Sequence, residues 1–466
     1  MDGGPRDCLY CHQGSAAALH SMVADWDLAR VFRCDQPQSG SRRLRRTLER
    51  RDVRRCEVTP TAPTTITTAS GERTMTPGLI RSLGLCALLL MLLGGCNEVE
   101  MPHAVGPWPQ VRGGADQASC SDYLGPETVS ERWRWSPKSI ATQINGPAVI
   151  GEKHVLVTHG STLRCLTEDG EEMWDWQGPA VWYGLRRAEP LLWAPVACED
   201  GTALIVDSVG MRLLDPEGAL LWTLKGADGR ICLPSGGDGA YMASDSLTAF
   251  DATGETEWEH EIDGYGVGPP PAIDEKGRTL WLASKDTGTG MKLVVISSDG
   301  AILHEVDLQG RVAGPPMAVR DLAVVIDYGG SVYAIREGSI VWQRLLAGSG
   351  SPRYAACPAQ QRVYMALGNT VNALASDGGT LWSVSLPGNV DYNLASDREG
   401  NLYTSVYDTI TEEAVICRVS HAGVVRELFR EAQAGGGSVS LGRDGRLFVG
   451  IDGWTLLCLE PTATPE

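Results

Sequence analysis

The chain repeats one short pattern eight times, and this repeat limits the fold more than any other feature. In most copies a Gly stands four residues before a Trp, and the copies are about 36 to 48 residues apart, which is the length of a four-stranded propeller blade. Because a fold of this kind does not by itself imply a reaction, catalysis has to be argued from a site. The aromatic position of the eight copies is occupied by Trp133, Trp174, Trp222, Trp258, His304, Trp342, Trp382 and Arg426.

Each repeat reads as four short strands joined by tight turns. Residues 231–264 predict strands at Ile231–Pro234, Ala240–Ser244, Leu247–Asp251 and Glu255–Glu261, with Gly and Asp between them. The second strand of each repeat is apolar on both faces, as in Leu204–Val206. A strand has this pattern when other sheets cover it above and below, as in a ring of blades.

The two ends of the repeat region predict how the ring closes. The last copy has three strands at about residues 438–460, and Glu131–Ser136 has the pattern of a fourth strand without a repeat of its own. We therefore expect an all-β, eight-bladed propeller of four-stranded antiparallel blades over residues 128–461. Its last blade would be closed by the N-terminal strand at about residues 131–136, which also removes exposed sheet edges.

The first 95 residues have the composition of an extension followed by a leader. Residues 1–74 are Arg-rich and lack apolar periodicity, so we interpret them as a wrongly assigned or disordered upstream extension. Residues 75–95 have the layout of a secretory signal peptide, although the apolar run Leu83–Leu93 also fits a buried helix. The Cys8-Leu-Tyr-Cys11-His12 pattern matches haem attachment but precedes the export signal, which argues against that role.

The end of the leader resembles a bacterial lipobox, Leu93-Gly-Gly-Cys96. The resemblance implies that Cys96 is lipidated and becomes the mature N-terminus, with residues 96–127 as a tether and lead-in segment. Asn97 follows the cysteine, which favours the outer membrane. We expect a cell-envelope protein that is lipid-anchored in the outer membrane and faces the periplasm or the surface.

The charge of the chain restricts its partners. The formal net charge is −18, and the Arg-rich first 74 residues contribute many of the basic groups. Such a surface repels nucleic acid and anionic lipid headgroups. We therefore expect a monomer whose partners are other envelope proteins, with membrane contact only through the N-terminal lipid anchor.

Seven cysteines follow Cys96. Export would permit disulfides, but Cys165, Cys417 and Cys458 stand where other repeats have a small residue such as Ala249 or Ala373. Packing as small apolar side chains is the favoured interpretation of these three. An odd total also prevents complete pairing.

Two further motifs resemble a known repeat family. Trp108-Pro-Gln-Val-Arg112-Gly and Ala249-Phe-Asp-Ala-Thr-Gly-Glu-Thr-Glu-Trp258 resemble the quinoprotein-type (PQQ-like) propeller repeats, over about residues 106–460. The resemblance implies that the repeat tryptophans dock neighbouring blades, and that the contacts of His304 and Arg426 are looser. WD40 repeats are the alternative, but Trp174-Asp175 is a single Trp-Asp pair. The predicted docking residues are Trp133, Trp174, Trp222, Trp258, Trp342 and Trp382.

The quinoprotein-type family contains pyrroloquinoline-quinone alcohol dehydrogenases and non-catalytic relatives. Among the latter is a propeller lipoprotein of the outer-membrane β-barrel assembly machinery. The enzymes would imply a quinone between an adjacent-cysteine disulfide and a Trp, with calcium and an Asp base. The sequence has no Cys-Cys pair, no zinc-type cluster and no nucleophile elbow. Asp residues such as Asp169, Asp299 and Asp377 read as turn formers. We therefore predict no cofactor, no metal and no catalytic residue.

One connection is the candidate binding face. The turns at one end of the blades are short, whereas the connections at the other end vary, as in Pro179–Leu192, Lys285–Met291 and Asp408–Glu413. The first of these is rich in the residue types found at binding hot spots, although its aromatic residues could equally cover the ring mouth. The candidate residues are Trp182, Tyr183, Arg186, Arg187 and Trp193.

These observations predict a non-catalytic envelope lipoprotein. The resemblance favours a protein-binding scaffold in outer-membrane protein assembly. Two alternatives remain open, a quinone-dependent dehydrogenase and a propeller that binds carbohydrate or another envelope polymer through its aromatic face.

Overall fold

The computed structural model describes residues 101–137, 144, 147–159, 162–177, 181–183, 186–188, 195–207, 210–225, 229–234, 239–266, 268–285 and 288–462. The predicted extension, the leader and Cys96 lie outside these residues. Nearly all regular structure in the described chain is β-strand, with three short 3-10 turns at Glu199–Gly201, Pro358–Gln360 and Arg443–Gly445. No helix in this part of the chain has the length and apolarity needed to cross a bilayer.

The strands form eight four-stranded antiparallel blades, as the sequence predicts. We label the strands of each blade a to d from the inside of the ring outwards. Blade 1 contains Val149–Ile150, His154–His159, Thr162–Thr167 and Glu172–Gln177. Blade 2 contains Val196–Ala197, Ala203–Val206, Gly210–Leu214 and Leu220–Lys225. Blade 3 contains Arg230–Cys232, Ala240–Ala243, Leu247–Phe250 and Thr256–His260. Blade 4 contains Ala272–Ile273, Thr279–Lys285, Met291–Ile296 and Ile302–Leu308, with Tyr265–Gly266 added beside the second strand.

The remaining four blades follow the same plan. Blade 5 contains Met317–Val319, Leu322–Ile326, Ser331–Arg336 and Ser339–Leu345. Blade 6 contains Arg353–Cys357, Arg362–Leu367, Thr370–Leu374 and Thr380–Ser385. Blade 7 contains Ala395–Ser396, Leu402–Asp408, Glu413–Val419 and Val425–Ala432. Blade 8 contains Val439–Leu441, Leu447–Ile451 and Thr455–Pro461, and its strand d is Val129–Trp135.

Blade 8 closes the ring because it takes strands from both ends of the repeat region. Val129 pairs with Pro461 and Trp135 with Leu456 in antiparallel register, with one bulge between Glu131 and Trp133. The predicted closing strand is thus confirmed, and it begins two residues earlier than expected. Closure in this way leaves no blade with an unpaired fourth strand.

The middle strands carry the core. Strand b of blade 2 and strand b of blade 5 are buried along their whole length, because each blade lies between two others. The outer strands alternate between exposed and half-buried residues, as in Thr380–Ser385. This is the burial pattern that the doubly apolar b strands predict.

The repeat tryptophans lie on the c–d turn of the next blade. Each indole covers the turn glycine so closely that a Cβ on Gly170, Gly218, Gly300, Gly378 or Gly423 would come within 2.6 to 2.8 Å of the ring. The indole N–H also donates to a carbonyl of the same turn, worth about 1 kcal/mol per bond. These bonds run from Trp133 to Glu168, Trp174 to Pro216, Trp258 to Ser298, Trp342 to Ser376 and Trp382 to His421. Trp222 is buried in the core shared by blades 2 and 3.

The strand register explains where small residues are needed. A bulge in the c–d pairing places the repeat aromatic opposite one residue of strand c, as in Cys165 with Trp174, Ala249 with Trp258 and Cys458 with Trp133. Cys165, Cys417 and Cys458 are all buried, and all are free thiols. This placement agrees with their interpretation as packing residues.

The two copies without Trp behave differently from each other. His304 occupies the usual position, because a Cβ on Gly338 would lie 2.8 Å from its ring, and its Nε2 is 3.4 Å from Glu337. The predicted position of the second copy is one residue off, because Glu427 stands opposite Cys417, as Trp174 stands opposite Cys165, whereas Arg426 pairs with Arg418. Strand d of blade 7 contacts strand d of blade 8, in which no c–d turn joins the two outer strands, and Arg426 donates to the carbonyl of Glu127. A docking indole would find no turn glycine there.

Candidate binding face and central segment

The connections at the two ends of the blades differ in length, as expected, but the difference comes from one type of connection. The d–a connections include the long stretches between Gln177 and Val196 and between His260 and Ala272. The b–c connections are as short as the turns at the opposite end. The b–c connections at Lys285–Met291 and Asp408–Glu413 have the predicted bounds, because strand b runs to Lys285 and to Asp408 and strand c resumes at Met291 and Glu413.

The predicted binding loop contains a two-stranded hairpin. Val181–Tyr183 pairs antiparallel with Arg186–Ala188, so that Trp182 stands opposite Arg187 and Tyr183 opposite Arg186. The hairpin belongs to the d–a connection between blades 1 and 2 and therefore to the end of the ring with long connections, which we call the long-loop face. Four of the five candidate residues are thus brought together along the backbone. Trp193 lies outside the described residues.

The opposite end of the ring is occupied by part of the segment 96–127, which is predicted from the sequence to be a tether and lead-in before the propeller; its residues 104–121 instead pack against the blades. Residues 104–121, the central segment, lie against the innermost strands of blades 1 to 7. In six blades, a backbone amide at the end of strand a, or one residue before its end, donates to a carbonyl of this segment at 2.7 to 2.9 Å. These bonds run from Ile150 to Trp108, Ala197 to Pro109, Ile273 to Ala115, Ala318 to Asp116, Ala356 to Ala118 and Ser396 to Ser119.

These contacts provide hydrogen-bond acceptors for backbone amides at the inner edges of the blades. Strand a is the inner edge of each blade, so its inward amides have no strand partner and need an acceptor. In blade 3 the side chain of Gln110 acts as both donor and acceptor. Its amide nitrogen donates to the carbonyl of Leu233, and its oxygen accepts from the Leu233 amide. Gln117 and Ser119 have φ values of 55° and 53°, which turn successive carbonyls towards different blades.

Arg112 and Asp116 are the charged residues at the centre of this segment. Arg112 donates from Nε to the carbonyl of Gln117 at 3.0 Å and from Nη2 to that of Tyr354 at 2.8 Å, and its guanidinium lies 4.3 Å from the centroid of the Tyr354 ring. Burial lowers the pKa of Arg112 and raises the pKa of Asp116 to about 6. Arg112 thus ties the central segment to blade 6 through backbone acceptors and a ring face.

A small cleft marks the position where His304 replaces the usual Trp. It is lined by residues of blades 4 and 5, among them Asp274, Arg278 and Glu337, and has a volume of about 10 Å³. That is room for about one water molecule. The cleft is therefore too small for a ligand. It is present because the His304 ring is smaller than the indole that fills this contact between other blades.

The residues present do not fit the quinone chemistry of the dehydrogenases. That chemistry would need adjacent cysteines, which the sequence lacks throughout, and a carboxylate cluster for calcium. The described residues contain no group of three His, Cys, Asp or Glu side chains arranged to hold a metal ion. The Asp side chains of the turns instead accept backbone N–H groups, as Asp251 does from Thr253 and Glu255 at 2.8 and 2.9 Å.

Part of the repeat region is similar to a known protein family. Residues 243–435 match the family described as outer membrane protein assembly factor BamB, which confirms the resemblance to quinoprotein-type repeats. No curated protein matches the chain in sequence.

Solved propellers share the fold at low sequence identity. A computationally designed protein, Ika8, is 14% identical with a TM-score of 0.51 and covers 70% of this chain and 98% of its own. A quinohemoprotein alcohol dehydrogenase from Pseudomonas putida HK5 is 11% identical with a TM-score of 0.51 and covers 78% and 82%. BamB from Moraxella catarrhalis is 15% identical with a TM-score of 0.45 and covers 73% and 99%. At such identities these similarities concern the fold alone.

Proposed function

We propose that this quinoprotein-type propeller is a non-catalytic, protein-binding scaffold of the cell envelope that takes part in outer-membrane protein assembly. The match of residues 243–435 to the BamB family carries the proposal. The acidic net charge and the absence of adjacent cysteines support it. We also propose that Cys96 holds the protein to the outer membrane through lipid.

From the position of Met101 we also propose which end of the propeller lies near the membrane. Its amide donates to the carbonyl of Ala252, which lies in the c–d turn of blade 3 at the short-turn end of the ring. Five residue steps separate Met101 from Cys96, and they span at most about 18 Å. A lipid on Cys96 would therefore keep the short-turn end near the membrane and leave the long-loop face directed away from it.

The proposed contact surface is the hairpin Val181–Ala188 on that face. Trp, Tyr and Arg are the residue types that carry most binding energy at protein interfaces, and the hairpin places two aromatic residues opposite two arginines. Arg186 and Arg187 would attract an acidic partner, although the chain as a whole is acidic.

Affinity purification from detergent-solubilised envelopes tests the proposal. We expect outer-membrane assembly proteins to co-purify with the intact chain, and Trp182→Ala or Arg186→Glu to reduce their recovery at least tenfold without changing the melting temperature. Arg398→Glu is the matched control, since Arg398 is exposed in the a–b turn of blade 7 at the opposite end. Equal losses for Arg186→Glu and Arg398→Glu would refute the binding face.

Two further outcomes would separate the alternatives. Dye reduction or a new absorption band after addition of the quinone with calcium would contradict the non-catalytic assignment. Recovery of envelope polysaccharide in place of assembly proteins would favour the carbohydrate-binding alternative.

A further inference from the structure

Two cysteines from distant parts of the chain meet where the central segment contacts blades 6 and 7. Cys120 belongs to the central segment and Cys357 ends strand a of blade 6. Their sulfurs share one acceptor, the carbonyl oxygen of Asp397, at 3.7 Å from Cys120 and 3.4 Å from Cys357. No other structural feature described above uses this pair.

The backbone around the two thiols is fixed on both sides. The amide of Ala356 donates to Ala118 at 2.7 Å, and Ser396 exchanges hydrogen bonds with Ser119 and Ser121. Cys120 itself forms a parallel β-bridge with Ser396. Both cysteines are therefore held close by bonds that flank them, so that little backbone motion is needed for their sulfurs to meet.

The two thiols differ in accessibility and in acidity. Cys120 is half-buried, whereas Cys357 is fully buried. A hydrogen bond between the two thiols lowers the pKa of Cys357 and, together with burial, raises that of Cys120. The other cysteines of the propeller have pKa values raised by burial, for example Cys165 to about 12. Only a thiolate can attack a disulfide, so the lowered pKa of Cys357 favours it as the nucleophile in the step that closes the bond, whereas the accessibility of Cys120 makes it the thiol that meets the external disulfide.

We propose that Cys120 and Cys357 are a thiol pair that oxidises to a disulfide and locks the central segment to blade 6. The oxidant is a small-molecule or protein disulfide. Cys120, which solvent can reach, displaces one thiol from it and forms a mixed disulfide. The Cys357 thiolate then attacks the Cys120 sulfur and releases the second thiol. Two protein thiols are oxidised and one external disulfide is reduced to two thiols, with both protons passing to solvent or to the released thiolates.

The lock would join residues that are far apart in the sequence and would hold the segment that fills the inner edges of seven blades. Export into an oxidising compartment is the condition under which such a bond persists. Cys165 and Cys417 serve as internal controls, because each is buried in strand c of its own blade.

Mass spectrometry of the full chain tests the inference. The protein is denatured and reduced, then refolded with oxidised and reduced glutathione, acid-quenched, alkylated in denaturant and digested. We expect one peptide pair linked through Cys120 and Cys357, lighter by about 2 Da than the two thiol peptides, while Cys165 and Cys417 are alkylated. The melting temperature should rise on oxidation and return with reductant.

Single variants make the result specific. In Cys357→Ser, Cys120 should retain a glutathione adduct because the resolving thiol is missing, and oxidation should no longer raise the melting temperature. Alkylation of Cys120 and Cys357 to the same extent as Cys165 after refolding would overturn the proposal. Linkage of either cysteine mainly to another partner would overturn it as well.

Discussion

From the contact between each repeat Trp and the turn glycine of the next blade, we predict how much stability is lost when Gly378 is substituted. This residue has φ of 80°, and an added Cβ would lie 2.8 Å from Cδ2 of Trp342. Gly277 is a matched control, because it has φ of 73° with no atom within 4 Å of an added Cβ. Both amides donate at 2.9 Å to the carbonyl three residues earlier. The two sites therefore differ mainly in the indole.

The two Ala substitutions should differ by the cost of displacing that indole. Either one forces a non-glycine residue into the left-handed region, at about 1 to 2 kcal/mol. Gly378→Ala also overpacks the contact, which costs about 1 to 3 kcal/mol. Part of that cost is the weakening of the 2.7 Å bond from Trp342 to Ser376. We expect a loss of unfolding free energy of about 2 to 5 kcal/mol for Gly378→Ala, against about 1 to 2 for Gly277→Ala.

Urea unfolding followed by circular dichroism measures both losses, and a double-mutant cycle assigns the difference. In a Trp342→Ala background, Gly378→Ala should cost no more than Gly277→Ala, since the clashing ring is gone. The reasoning is refuted if Gly378→Ala is no more destabilising than Gly277→Ala. It is also refuted if the excess survives removal of the indole.

Three further predictions concern closure, the central segment and a buried ion pair. Trp133→Ala should release strand d of blade 8, whose indole donates to Glu168 at 2.8 Å; limited proteolysis should then cut near residue 128 faster, and an unchanged rate would contradict the role in closure. Asp116 has a pKa raised from 3.8 to about 6, so its ionisation disfavours the folded state, and the stability it contributes at low pH is lost as the pH rises from 3.8 through 6. Asp116→Asn should remove up to about 3 kcal/mol of this decline, and urea midpoints that fall in parallel in both proteins would disprove it. Asp207→Ala should cost about 3 to 5 kcal/mol in the same assay, because it leaves Arg212 buried without the carboxylate now 2.8 Å from its Nε; a loss below 1 kcal/mol would show that water replaces the partner.

The repeated parts of this fold could be predicted because their signals recur. Eight copies of one strand and turn pattern fix the number of blades, and the surplus strand at Val129–Trp135 reveals the closure. Small errors arose at strand ends. The closing strand, for example, begins at Val129, whereas the sequence predicts Glu131.

The central segment could not be predicted in the same way, because its main contacts use backbone carbonyls. Pro109, Ala115 and Ser119 accept hydrogen bonds from strand a, and any residue type could do so. The segment also occurs once, so no repeat reveals it. The side chains of Trp108, Gln110 and Arg112 do contact the blades, and all three belong to the motif that resembles the repeat family, but the motif alone does not show where they bind. The side chains of the binding hairpin are likewise non-repeated, and their role stays a prediction.

The junction between blades 7 and 8 explains why one repeat lacks its aromatic residue. Every docking indole needs a turn glycine in the following blade, but strands c and d of blade 8 come from opposite ends of the repeat region and no turn joins them. In its place the amide of Thr462 donates to the carbonyl of Thr128, and Arg426 reaches the carbonyl of Glu127 at 3.3 Å. A Trp at position 427, which stands opposite Cys417, would therefore gain no docking site. The departure from the repeat at Glu427 thus follows from the position of the seam in the ring.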